Sequence, residues 1–106
     1  MSKYSEKENV TRLAQILVEL GVSRFVISPG SRNAPLIKAF TAHPETNCHS
    51  LVDERSAGYF ALGMALRENR PVALVCTSGT AAVNYGPALA EAYYQKVPLI
   101  AITADR

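Results

Sequence analysis

Four short apolar runs alternate with segments of helical periodicity along this chain, and that alternation constrains its fold more than any other feature. The runs are Phe25-Val26-Ile27, a weaker one from Cys48 to Val52, the clearest from Val72 to Cys76, and Leu99 to Thr103. Leu13, Ile16, Leu17 and Leu20 repeat at helical spacing ahead of the first run, and Gly21 follows as a residue suited to the left-handed position past a helix end. After Pro29-Gly30, Pro35 opens a second helix carrying Leu36, Ile37 and Phe40, which His43-Pro44 closes. Asp53 caps a third helix, running through Tyr59, Leu62, Met64 and Leu66 towards Asn69, and Pro71 prevents its continuation. An alanine-rich helix from about Ala81 to Gln95 leads past Pro98 into the last run.

Near-continuous apolar strands between amphipathic helices predict an α/β fold: a doubly wound parallel sheet with helices on both faces. Right-handed crossovers leave few topologies, and the expected strand order is 2-1-3-4 with strand 4 at an edge. A bare edge invites association. The expectation is therefore that the chain is truncated relative to a full domain, with a natural small domain as the alternative.

With 106 residues and 48% hydrophobic content, the chain has the size of one domain with one core. Eleven Lys and Arg against nine Asp and Glu leave a net charge of +2, too weak and dispersed for a nucleic-acid surface. The polar start MSKYSEKENV differs from a signal peptide, and no apolar run approaches the ~20 residues of a membrane span, so the default location is cytoplasmic. Cys48 and Cys76 lack a CxxC partner, and both are expected to be structural residues in buried strands. His43 and His49, at a helix-ending turn and a strand start, also read as structural or exposed. Tyr93 and Tyr94 are expected to pack one ring inward and expose the other, or to face a partner subunit.

Each strand is followed by a polar cluster: Ser28-Pro29-Gly30-Ser31-Arg32, then Asp53-Glu54-Arg55, then Thr77-Ser78-Gly79-Thr80, then Ala104-Asp105-Arg106. Parallel strands put all four on one edge of the sheet, where ligands of open α/β sheets bind, near the order reversal between strands 1 and 3. Neither a GxGxxG nor a GxxxxGK[ST] loop is present, so NAD and ATP are poor matches. Thr77 to Thr80 suits an anion at a helix start and a tight strand-to-helix turn equally. By itself, Glu54 at a helix start is more often a capping or dipole-compensating charge than a catalyst, and exposed arginines are more often solvated than ligand-bound. The strand-end positions of Glu54 and Arg32 shift that balance.

At these same residues the chain resembles the thiamine diphosphate lyase and decarboxylase superfamily. The shared elements are Gly21-Val22, Pro29-Gly30, Glu54, Thr77-Ser78-Gly79 and Asn84, in order and over nearly the whole chain. The wording SPGSR, DER, TSGT and TADR is most similar to the menaquinone-pathway branch, a homo-oligomeric transferase that decarboxylates 2-oxoglutarate and adds the succinyl unit to isochorismate. The resemblance implies that Glu54 is the catalytic carboxylate meeting the cofactor's aminopyrimidine, with Pro29 and Thr80 also touching the cofactor. It assigns isochorismate to Ser31, Arg32 and Arg106, where the planar guanidinium fork suits a carboxylate. It further implies that residues 1–106 are the N-terminal part of a pyrimidine-binding domain. The linker, central and diphosphate-binding domains, with the Mg²⁺ ligands, would lie outside this chain. Acetohydroxyacid synthase or another 2-oxoacid lyase, and a non-catalytic flavodoxin-like domain, are the competing expectations.

Overall fold

A computed structural model describes residues 3–30 and 33–104 of the chain. The order of elements is α1 (Lys3–Glu19), β1 (Arg24–Ile27), α2 (Ala34–Ala42), β2 (Asn47–Ser50), α3 (Glu54–Glu68), β3 (Val72–Thr77), α4 (Thr80–Val83), α5 (Gly86–Gln95) and β4 (Leu99–Ala104). The strands form one parallel sheet in the order β2-β1-β3-β4, as the alternation predicts.

Strand period two divides the core between the sheet's faces. Phe25 and Ile27 of β1, with Ala73 and Val75 of β3, face Ala14 and Leu17 of α1 and Phe40 of α2. The Phe25 and Phe40 rings lie 4.6 Å apart at 31°. On the other face Val26, Val72, Leu74 and Cys76 pack against Ala57, Ala61 and Ala65 of α3 and against Tyr85. All five residues from Val72 to Cys76 are buried, the signature of a strand covered on both sides.

Four local expectations change. The alanine-rich segment is broken into α4 and α5, with Asn84 and Tyr85 between them. Pro87 explains the break: it has no amide to donate, its ring would strike the carbonyl of Val83, and it belongs instead in the first turn of a new helix. β2 ends at Ser50, because its partner β1 ends at Ile27; Leu51 gives one last amide to Ile27 O at 2.9 Å before the chain turns to Asp53. Tyr93 and Tyr94 are both exposed, at 79% and 80%, with their rings edge to face, so neither packs inward. Cys76 is fully buried, but Cys48, on the edge strand β2, is only half-buried.

The helices bury a narrower stripe than the apolar pattern implies. Ala14 and Leu17 of α1 face the sheet while Ile16 and Leu20 are exposed. α3 buries Ala57, Gly58, Ala61, Leu62 and Ala65, and Tyr59, Phe60 and Leu66 point away. Small side chains on the inner stripe let α3 lie close to both β3 and α5. His43 has a turn-forming role, accepting from Glu45 N at 3.1 Å and meeting Gln15 Oε1 at 2.8 Å. His49 lies inside β2, its ring 5.7 Å from Phe60. Among the described residues no helix is long and apolar enough to cross a membrane.

Candidate functional site

Strand register brings the polar clusters to one rim. Ile27 pairs with both Ser50 and Val75, and Thr77 pairs with Ala104, so the carboxyl ends of all four strands lie side by side. Ser28 ties three strand ends together: its amide donates to Val75 O at 2.8 Å, and its hydroxyl to Leu51 O at 2.7 Å. Asn33 occupies the N-cap place of α2 without capping it. Its buried amide instead closes the loop after β1, donating to Ser28 O at 3.0 Å and accepting from Gly30 N at 2.9 Å. This loop also lies against the end of β3, since a Cβ at Gly30 would stand 2.7 Å from Thr77 Cγ2.

Asp53 and Glu54 divide their work. Asp53 caps α3, its Oδ2 accepting from the Ser56 amide at 2.9 Å and the Ser56 hydroxyl at 2.7 Å. These two bonds hold its carboxyl below the usual carboxylate range, with Arg55 adding to the effect. Capping is thus already done when Glu54 is reached. Glu54 is the half-buried first residue of the helix, and its charge acts on two buried groups, the Cys76 thiol and the Tyr85 hydroxyl. The helix start favours an anion there. Among the described residues no hydrogen bond or ion pair engages the Glu54 carboxylate.

Tyr85 stands behind the rim, fully buried at the α4–α5 break. Its hydroxyl has no partner at hydrogen-bonding geometry, although Cys76 and Ser28 lie near enough to act on it. Burial drives its ionisation far above that of an ordinary phenol, and the charges of Cys76 and Glu54 push the same way. Burial likewise raises the Cys76 thiol, whose Sγ donates to Thr77 O at 3.0 Å.

In the turn after β3, Gly79 has φ 74° and ψ −134°, a conformation open to glycine alone. The backbone therefore accounts for that glycine, and α4, with four residues, presents only a single turn to the rim. Asn84 Nδ2 donates to Thr80 O at 2.9 Å, binding the far end of that turn to its start. Pro29 and Thr80 are exposed beside Glu54's rim. Ser31, Arg32, Asp105 and Arg106 lie outside the described residues.

Ser28 was expected there as the first residue of the cluster after β1, but Asn33, Cys76 and Tyr85 were not among the residues expected at the site. Asn33 carried a local signal, an Asn just before Ala34-Pro35, though for a cap and not for a loop clasp. A cleft of about 880 Å³ between α1 and α2, lined by Val10, Ala14, Pro35, Lys38, Ala39 and His43, includes none of the rim residues. Among the described residues no group of His, Cys, Asp or Glu is arranged to hold a metal ion.

Residues 8–106 match the family described as thiamine pyrophosphate enzyme, N-terminal TPP binding domain. Over 103 residues, 97% of its length, the chain is 53% identical to the 2-succinyl-5-enolpyruvyl-6-hydroxy-3-cyclohexene-1-carboxylate synthase of Bacteroides fragilis. It is 61% identical over 90 residues, 85% of its length, to the synthase of the same name from Geobacillus kaustophilus. These matches cover 19% and 16% of the two relatives, so the chain spans under a fifth of their length. Among solved structures, benzoylformate decarboxylase from Polynucleobacter necessarius superposes over 90% of this chain and 18% of its own, with TM-score 0.78 and 27% identity.

Proposed function

We propose, because this chain belongs to the thiamine pyrophosphate enzymes as their N-terminal TPP-binding domain, that it is the pyrimidine-side part of a 2-succinyl-5-enolpyruvyl-6-hydroxy-3-cyclohexene-1-carboxylate synthase. The substrates would be 2-oxoglutarate and isochorismate, in the pathway to menaquinone. One observation carries the site: Glu54 is the first residue of α3 at the common rim, spared from capping by Asp53 and engaged by no hydrogen bond or ion pair among the described residues.

The residues present fit the aminopyrimidine of thiamine diphosphate. A carboxylate with no partner among the described residues, backed by an orphaned buried hydroxyl, is what a ring nitrogen needing one charge-assisted bond requires. Pro29 and Thr80 would flank the ring from the neighbouring loops. When bound, the cofactor supplies the electron sink for decarboxylating a 2-oxo acid. Glu54 would hold a proton between its carboxylate and the ring's N1′ atom, and the rigid first turn of α3 would keep that proton in place. Ser31, Arg32 and Arg106 are proposed to bind isochorismate. Mg²⁺ and the diphosphate would be held by a part of the polypeptide beyond this chain, in a cytoplasmic homodimer or homotetramer.

The complete polypeptide should turn over 2-oxoglutarate with isochorismate and leave pyruvate untouched. Glu54→Gln should lower kcat by about 100-fold or more, the scale of a lost positioned proton-transfer group, with an unchanged unfolding temperature. Undiminished turnover in that variant would reduce Glu54 to a helix-start charge.

A further inference from the structure

Asn33 occupies the place from which an asparagine usually caps a helix, yet it makes no capping bond. Its backbone, at φ −101° and ψ 12°, has left the extended region that capping uses. The carboxamide turns back along the chain instead and is completely buried. Nδ2 donates to Ser28 O at 3.0 Å, and Oδ1 accepts from Gly30 N at 2.9 Å. An acceptor on one side and a donor on the other fix which way round the amide lies, because flipping it would oppose like groups at both contacts. A local rule for helix starts is thus broken in favour of a loop.

The two atoms that Asn33 grips belong to the peptide groups on either side of Pro29: Ser28 O to the one before it and Gly30 N to the one after. The pyrrolidine ring sets φ between them, so Pro29 keeps no free backbone torsion. The same mount is anchored to the sheet. Ser28 N donates to Val75 O at 2.8 Å, and its hydroxyl donates to Leu51 O at 2.7 Å. Gly30 lies so close to β3 that a Cβ there would stand 2.7 Å from Thr77 Cγ2. On this mount the Pro29 side chain is exposed at the rim. A ring held out on a backbone fixed at both flanking peptides is a preorganised contact surface, which gives up little freedom when a ligand meets it.

We propose that Asn33 is a positioning residue for the cofactor site: by clamping both peptides of Pro29 it holds that ring in place against the aminopyrimidine. This rests on the reading of Pro29 as a residue that flanks the cofactor. Asn33, buried beneath the loop, touches neither cofactor nor substrate and acts through Pro29.

The test is a double-mutant cycle on thiamine diphosphate affinity, measured by calorimetry in the complete polypeptide with Mg²⁺. Asn33→Ala should raise the cofactor Kd about 5- to 20-fold, the effect of losing two hydrogen bonds that preorganise the loop. In a Pro29→Ala background the same change should alter Kd by less than about 2-fold, since the surface that Asn33 positions is gone. A side chain that only stabilises the fold lowers the unfolding midpoint and leaves the Kd of the folded protein unchanged; that result overturns the proposal, as does an equal rise in Kd in both backgrounds. Parent affinity in Pro29→Ala alone overturns instead the reading of Pro29 on which the proposal rests. Gly30→Ala gives a second arm should Asn33→Ala fold poorly. It pushes the mount off Thr77 without altering Asn33 or Pro29, so it should raise Kd likewise, and adding Thr77→Ser, which removes the opposing methyl, should restore it. A Kd unmoved by Gly30→Ala, or a rise that Thr77→Ser does not relieve, counts against the proposal.

Discussion

Asp53 and Glu54 show how two adjacent carboxylates acquire different tasks from their places at one helix start. Asp53 Oδ2 takes both the amide and the hydroxyl of Ser56, which lowers its proton affinity relative to the unfolded chain. A carboxyl depressed on folding contributes stability that is present above its unfolded value, about 3.9, and is lost as pH falls through the lower folded value. Asp53→Ala should therefore lower the unfolding temperature at pH 7, and the difference from the parent should vanish at a pH below the folded value. Thermal melts at both ends of that range check it, and a difference that persists in acid would assign the effect to something other than the carboxylate cap. The Asp53 cap was legible in the sequence because its partner is three residues away. Tyr85 was not: what makes it informative is its proximity to Ser28, Gly58 and Cys76, residues distant in sequence that only the folded sheet assembles.

At the scale of elements, the strands and their order followed from apolar runs and turn residues, while the helix surfaces followed less well. Residues such as Ile16, Leu20, Tyr59 and Leu66 stand out in an apolar pattern, yet all four are exposed, and alanines and Gly58 make most of the contacts beside Leu17 and Leu62. Packing two helices closely favours small side chains over large ones, which hydrophobicity counting undervalues. The α4–α5 break was written in Pro87, but alanine's strong helix propensity masked it in a reading by composition. Gly58→Ala separates these effects. Alanine gains about 1 kcal/mol of helix propensity, but its Cβ would meet Ala88 Cβ at 2.9 Å, and overpacking costs about 1–3 kcal/mol. The net expectation is a loss of stability in denaturant titration. Gly58→Ala with Ala88→Gly should recover most of it by removing the opposing methyl, and failure to recover would mean that the α3–α5 approach is not set at this contact.

For the whole molecule, the decisive feature is how one-sided the ligand-facing rim is. On the reading proposed above its carboxylate and loop backbone would meet an aminopyrimidine, and among the described residues there is no cluster suited to a divalent cation. Thiamine diphosphate owes much of its charge to the diphosphate end, whose oxygens need a metal or several donors to leave water. The outer surfaces of α3 and α5 also carry Tyr59, Phe60, Tyr93 and Tyr94, between 44% and 80% exposed, a large apolar area for an isolated domain. Both features suit one half of a composite site. The 106-residue chain alone should therefore bind thiamine diphosphate with Mg²⁺ only weakly, with Kd on the order of 1 mM or above, because the pyrimidine contacts must carry the whole affinity. Titration calorimetry of the folded chain decides the matter, with circular dichroism confirming that it is folded. Micromolar binding would show that the diphosphate and its metal find their ligands within these residues, and the division of the site proposed for this protein would then be wrong.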